Sequence, residues 1–194
     1  MVGRPKGDGI HTKRLIVEKA TELFLKKGYS AVGIKEILTA VAVTKGSLYF
    51  HFPGGKEDLA LEVMSLAAED FWKKLLPDEA FDWELPRLKE HLGQTLSSSL
   101  IVDSDREDTL LGCPVAMLGL EAPTLKLKEK SQLIYRSWQE DLERLTTKLG
   151  KDKSLAVTLL MLIEGGIVLA KIHDDPAYLT AAIEKSSGLL LASS

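Results

Sequence analysis

The chain has 194 residues, 45% of them apolar or aromatic, enough for one sizeable core or a small module joined to a larger one. Cys113 is its only cysteine and His11, His51, His91 and His173 lie far apart, which excludes a disulfide framework or cysteine zinc site within one chain and leaves no metal or other cofactor expected. Net charge is −3, but residues 1–56 carry ten Lys or Arg against four acids (net +6) and the rest carries −9, so the charge predicts a polyanion partner for the head alone, against the plainer reading of a chance excess on a solvated face.

Residues 1 to about 10, with Gly3, Arg4, Pro5, Lys6, Gly7 and Gly9, read as a basic arm. No charged-then-apolar leader opens the chain, so a cytoplasmic location is expected. Thr12 reads as the hydroxyl cap of a first helix with Ile16, Ala20, Leu23 and Phe24 on one face, ending at Gly28. Ile34, Ile37, Leu38 and Val41 predict a second, shorter helix. Thr44 caps a third, to about Phe50, which Pro53-Gly54-Gly55 stops. A long helix follows from Lys56 to about Leu76, with Leu59, Val63, Leu66 and Ala67 inward.

Beyond Pro77, apolar spacing predicts helices over 85–101, 114–121, 124–149, 152–172 and 176–191. "VDSDREDTLLG" reads as an acidic connecting loop. No stretch alternates with period two over a useful length, so the expected class is all-α, with about nine helices. The expected division is a basic arm with a helix-turn-helix unit over 1–55 and a helical body over 56–194.

The stretch "VTKGSLYFHFPGGKEDL" (43–59) invites two readings. A phosphate-binding P-loop needs a glycine where Phe50 stands and a hydroxyl where Glu57 stands, so that reading fails. Two short helices across a tight turn fit a helix-turn-helix better. The first gives Ile37, Leu38 and Val41 to a small core with Leu23, Phe24 and Tyr29. The second turns Leu48 inward and offers Thr44, Lys45, Gly46, Ser47 and Tyr49 outward, with Gly46 allowing close approach to a groove. Tyr49, His51 and Lys56 suit backbone phosphate, while Phe50 and Phe52 are expected to anchor the unit as core. Ordinary surface or core roles are the competing readings for each of these residues.

Together, "ATELFLKKGYSAVGIKEI" and "VTKGSLYFHFPGGKEDL" resemble the DNA-binding domain of the TetR family of transcriptional regulators, and "GCPVAMLGLEA" further on resembles its LmrA/YxaF-like branch. The resemblance implies a helix-turn-helix over 33–52 with its recognition helix at 44–49. The candidate DNA-contacting set is then Gly33, Lys35, Thr44, Lys45, Gly46, Ser47, Tyr49, His51 and Lys56. Where the family usually has glycine in the inter-helix turn, this chain has Ala42, at a cost of roughly 1 kcal/mol if φ is positive there.

For the body, "LAVTLLMLIEGGIVLA" is apolar almost all round and must bury more than one face. Glu164 and the paired glycines interrupt it, against a membrane span. With the last helix it offers a homodimer surface over 152–172 and 176–191, as the resemblance also implies. Burial within one subunit is the alternative. The candidate pocket for a small, mostly apolar effector comprises Trp72, Cys113, Met117, Leu118, Tyr135, Trp138, Met161 and Glu164. Glu164 stands out, because a carboxylate in an apolar helix is costly unless paired. With no nucleophile–base constellation or cofactor motif, no enzyme activity is expected. The function expected is a ligand-released repressor on a palindromic double-stranded operator; a constitutive DNA-binding protein or an activator without small-molecule control is the alternative.

Overall fold

The structure, a computed structural model, describes residues 8–75, 87, 90–91, 102–103, 106–110, 112–121 and 123–192. Eight helices have their bounds within them: α1 Asp8–Lys27, α2 Ile34–Ala40, α3 Lys45–His51, α4 Lys56–Leu75, α5 Pro114–Glu121, α6 Leu125–Lys148, α7 Leu155–His173 and α8 Ala177–Leu191. Among the described residues the secondary structure is helical apart from one antiparallel strand pair within the acidic connection, β1 Val102–Asp103 with β2 Arg106–Leu110, in which Val102 faces Leu110 and Asp103 faces Arg106. The helix expected over 85–101 lies mostly outside the described residues; Arg87, Glu90 and His91 are helical. The expected arm falls outside them up to residue 7, and α1 begins at Asp8, so Thr12 lies inside the helix rather than capping it.

The chain forms two compact units, Met1–Ala67 with Pro114–Ser131, and Ala68–Cys113 with Gln132–Ser194. The first takes in more than residues 1–55, because the start of α4, all of α5 and the start of α6 belong to it. Its core follows from the 3.6-residue spacing of apolar side chains. Ile16, Ala20 and Phe24 of α1, Ile37 of α2, Leu48 of α3 and Leu59 and Val63 of α4 are all buried, with Val115, Leu118 and Leu127. Leu66, expected inward, is 36% exposed. Gly28, at φ +84, lets α1 stop and turn into the α2 segment, a conformation that a side chain would strain.

In the second unit α7 packs along α8, burying Leu159, Ile163, Ile167 and Ala170 against Leu179, Ala182 and Leu190. Gly166 permits the approach, since a Cβ there would lie 2.6 Å from that of Ala182. Helix α7 is long and apolar enough to cross a bilayer by length and composition, with a mean hydropathy of 2.1. Its buried face is occupied by protein, and it carries Glu164 midway.

Candidate nucleic-acid interface

Helix α2 starts at Gly33, whose extended backbone (φ −92°, ψ 148°) serves as N-cap and has open space around it. Lys35 projects into solvent from the first turn. The chain leaves α2 through Val41 and reverses at Ala42, which adopts φ +52°. The left-handed turn is therefore made by an alanine, and the strain anticipated from the sequence is present. Thr44 then caps α3, its Oγ1 accepting the N–H of Ser47 at 3.3 Å.

Within α3, Leu48 is fully buried, and it fixes which side of the helix faces out. Lys45 and Gly46 are exposed, Ser47 and His51 half-buried, and Tyr49 is 40% exposed. The Lys45 ammonium stands 5.7 Å over the Tyr49 ring, so cation and phenol share one outward patch. Gly55, at φ +70°, sits beneath that ring; a Cβ there would lie 3.4 Å from Tyr49 Cε1. Phe52 is the expected anchor at 2% exposure, but Phe50 is 80% exposed and is corrected from core to surface. The reason is angular: Phe50 lies two residues beyond Leu48, about 200° round the helix. His51 lies beside the start of α1, 3.8 Å from the place a Cβ on Gly9 would take.

Lys56 opens α4 with its ammonium 4.2 Å over the Tyr29 ring. Partial burial lowers its pKa from the ordinary lysine value, and the nearby Glu121 charge acts the other way. The ion pairs of the head separate its cations into two groups. Lys13 pairs with Glu62, Arg14 with Glu18, Lys19 and Lys26 with Glu22, and Lys27 with Glu36. Among the described residues, Lys35, Lys45 and Lys56 make no ion pair. These three are the cations singled out for DNA contact, a coincidence the sequence could not supply because pairing depends on where acids land. Such an array suits phosphate, which unpaired surface cations bind by releasing counterions.

In the second unit a separate polar cluster forms. Tyr135 of α6 and Cys113, just before α5, both hydrogen-bond the Glu164 carboxylate of α7. Among the described residues Glu164 Oε2 is buried without a hydrogen-bond partner. Burial raises the Glu164 pKa, opposed by the two hydrogen bonds, and burial likewise pushes Tyr135 above the ordinary phenol. The Trp138 ring, 3% exposed, meets Tyr135 edge-on at 5.0 Å. Met161 is 62% exposed on α7, because it lies three residues from Glu164 but on the outer side. Met117 and Leu118 belong to the first unit, Leu118 as core at 2% exposure. Trp72 lies on α4, its side chain outside the described set.

Two family profiles match the chain. One, described as bacterial regulatory proteins of the tetR family, covers residues 16–63, and the other, the C-terminal domain of LmrA/YxaF-like transcriptional regulators, covers 94–185. The HTH-type transcriptional regulator LmrA of Bacillus subtilis is 32% identical over 167 residues, spanning 82% of this chain and 86% of that protein. YxaF of the same organism, an HTH-type transcriptional regulator, is 26% identical over 90% of this chain and 92% of its own length. A TetR transcriptional regulator from Legionella pneumophila shares the fold with a TM-score of 0.74 at 22% identity, over 97% of this chain and 99% of its own.

Proposed function

The chain belongs to the TetR family of DNA-binding transcriptional regulators, and from that premise we propose that it is a repressor released from a palindromic operator by a small, mostly apolar ligand. The observation that carries the DNA-binding half is the set of head lysines without ion pairs among the described residues, Lys35, Lys45 and Lys56, of which Lys45 lies on the Thr44-capped recognition helix itself. In this reading Thr44, Lys45, Gly46 and Ser47 face base edges, with Gly33 and Lys35 beside them. Tyr49, His51 and Lys56 hold backbone phosphate.

Seven residues of helix read too little sequence alone, so the reading requires a homodimer that places two recognition helices about 34–36 Å apart. Helices α7 and α8 support it with an exposed apolar face of Val157, Met161, Val168, Leu169, Ile172 and Tyr178. The effector half rests on Glu164: its buried Oε2, without a partner among the described residues, is an acceptor waiting for a donor, beside Tyr135, whose ring meets Trp138. Ligand occupancy then shifts the population between conformers of different operator affinity, with the unbroken helix α4 from Lys56 to Leu75 as the moving element. Such a regulator works where the chromosome is, in the cytoplasm.

Selection of bound DNA from a random pool, repeated with candidate ligands, tests this reading. A palindromic consensus that Tyr49→Ala and Lys45→Ala each abolish, and that a ligand releases, is the expected result. Failure to enrich any site overturns the DNA-contact assignment, and enrichment indifferent to every ligand favours a constitutive regulator.

A further inference from the structure

One aromatic ring of the recognition helix has no role in the core. Phe50 is 80% exposed, whereas Leu48 in the same short helix is fully buried. At about 100° per residue, Phe50 and Gly46 both fall within roughly 20° of the line opposite Leu48. The middle of the outward face is therefore an open step at Gly46, where the nearest atom to an added Cβ is Thr44 Oγ1 at 3.9 Å, followed one turn later by a phenyl ring. The ring is steadied by an edge-on contact with His51, 5.0 Å between centroids and 79° between planes.

We propose that Phe50 is a specificity-determining residue that packs against the C5 methyl group of a thymine in the major groove. The inference rests on the DNA-binding reading above and adds a contact of a different chemical kind. A phenyl ring has no hydrogen bond to offer, so it reads neither phosphate nor the donor and acceptor edges of bases. The one apolar group that base pairs display in the major groove is the thymine methyl. A protein partner suits the site less well. The exposed ring meets His51 edge-on, and a single phenyl gives too little apolar area for a stable protein interface.

The experiment uses the full chain and the consensus DNA it selects. Each thymine of one half-site is replaced in turn by deoxyuridine, which removes the methyl group and nothing else. The wild-type chain is expected to lose about fourfold in affinity at one position, the worth of one buried methyl group. Phe50→Ala is expected to bind the thymine and deoxyuridine sites equally there, with an unchanged dependence on salt, since no phosphate contact is removed. Because Phe50 packs into no core, the variant folds as the wild type does, which its melting curve checks. Indifference of the wild type to every replacement overturns the proposal, as does Phe50→Ala that still discriminates. Both outcomes leave DNA binding intact; a wild-type chain that enriches no DNA removes the DNA-binding reading and this inference together.

Discussion

Glu121, the last residue of α5, accepts the backbone N–H of Tyr29 at 2.6 Å across 92 residues of sequence. Its carboxylate fills the space over Gly28, where an added Cβ would meet both oxygens at 3.0 Å. It thus closes the turn between α1 and α2 from outside the helix-turn-helix segment and brings its charge to bear on Lys56. Glu121→Ala is expected to speed hydrogen exchange at the Tyr29 amide and to destabilise the protein by about 1 kcal/mol. Glu121→Gln retains an acceptor and should recover most of that protection. Unchanged exchange in the alanine variant would show that the carboxylate does not hold the turn.

Ala42 adopts φ +52° in the turn of the helix-turn-helix. Glycine carries no Cβ penalty there, so Ala42→Gly is expected to stabilise the chain by about 0.5–1 kcal/mol. Chemical denaturation measures the gain. A variant less stable than the parent would mean that the greater freedom of the unfolded chain outweighs the relief.

Lys56→Ala should free one backbone phosphate in each protomer. The slope of log affinity against log salt is then expected to fall by about one for each phosphate no longer neutralised. Binding should weaken similarly on selected and random DNA, because phosphate carries no sequence. Titration of labelled DNA at several salt concentrations reads both quantities, and an unaltered slope would remove Lys56 from the interface.

Burial raises the pKa of Glu164. A carboxyl whose folded value exceeds its unfolded one holds its proton more tightly when folded. It therefore favours folding below the ordinary carboxylate range, and this contribution disappears as pH rises through the folded value. Glu164→Gln should raise the melting temperature at neutral pH, with the difference narrowing as pH falls towards that range. A gain that stayed constant across pH would separate the effect from ionisation.

Met161 and Ile172 are 62% and 68% exposed on α7. If that face is the dimer surface, Met161→Glu combined with Ile172→Glu should yield monomers in analytical ultracentrifugation, with operator binding much reduced. A double variant that remained dimeric would place the interface elsewhere.

Much of the head was legible from the chain alone. Leu48, Ile37, Phe24 and Phe52 are buried as their spacing requires, and Thr44 caps α3. The short strand pair Val102–Asp103 with Arg106–Leu110 was not legible, because Arg-Glu-Asp-Thr-Leu shows no apolar alternation and its ladder is a backbone matter. Phe50 was misread for a simpler reason: hydrophobicity marks a residue as apt for burial, but its angle about α3 decides whether burial happens.

The sequence by itself determined the helical class, the register of the recognition helix and the family. These depend on period, caps and local order, which are properties of neighbouring residues. Only the tertiary structure decided which lysines of the head remain without ion pairs among the described residues, that Glu121 closes the turn at Tyr29, and that Cys113 and Tyr135 converge on the buried Glu164 carboxylate. Each of these depends on distances between residues far apart in the chain. Coulombic and hydrogen-bonding partners are chosen by where folding brings them, within a few ångströms, and no one-dimensional pattern records that separation.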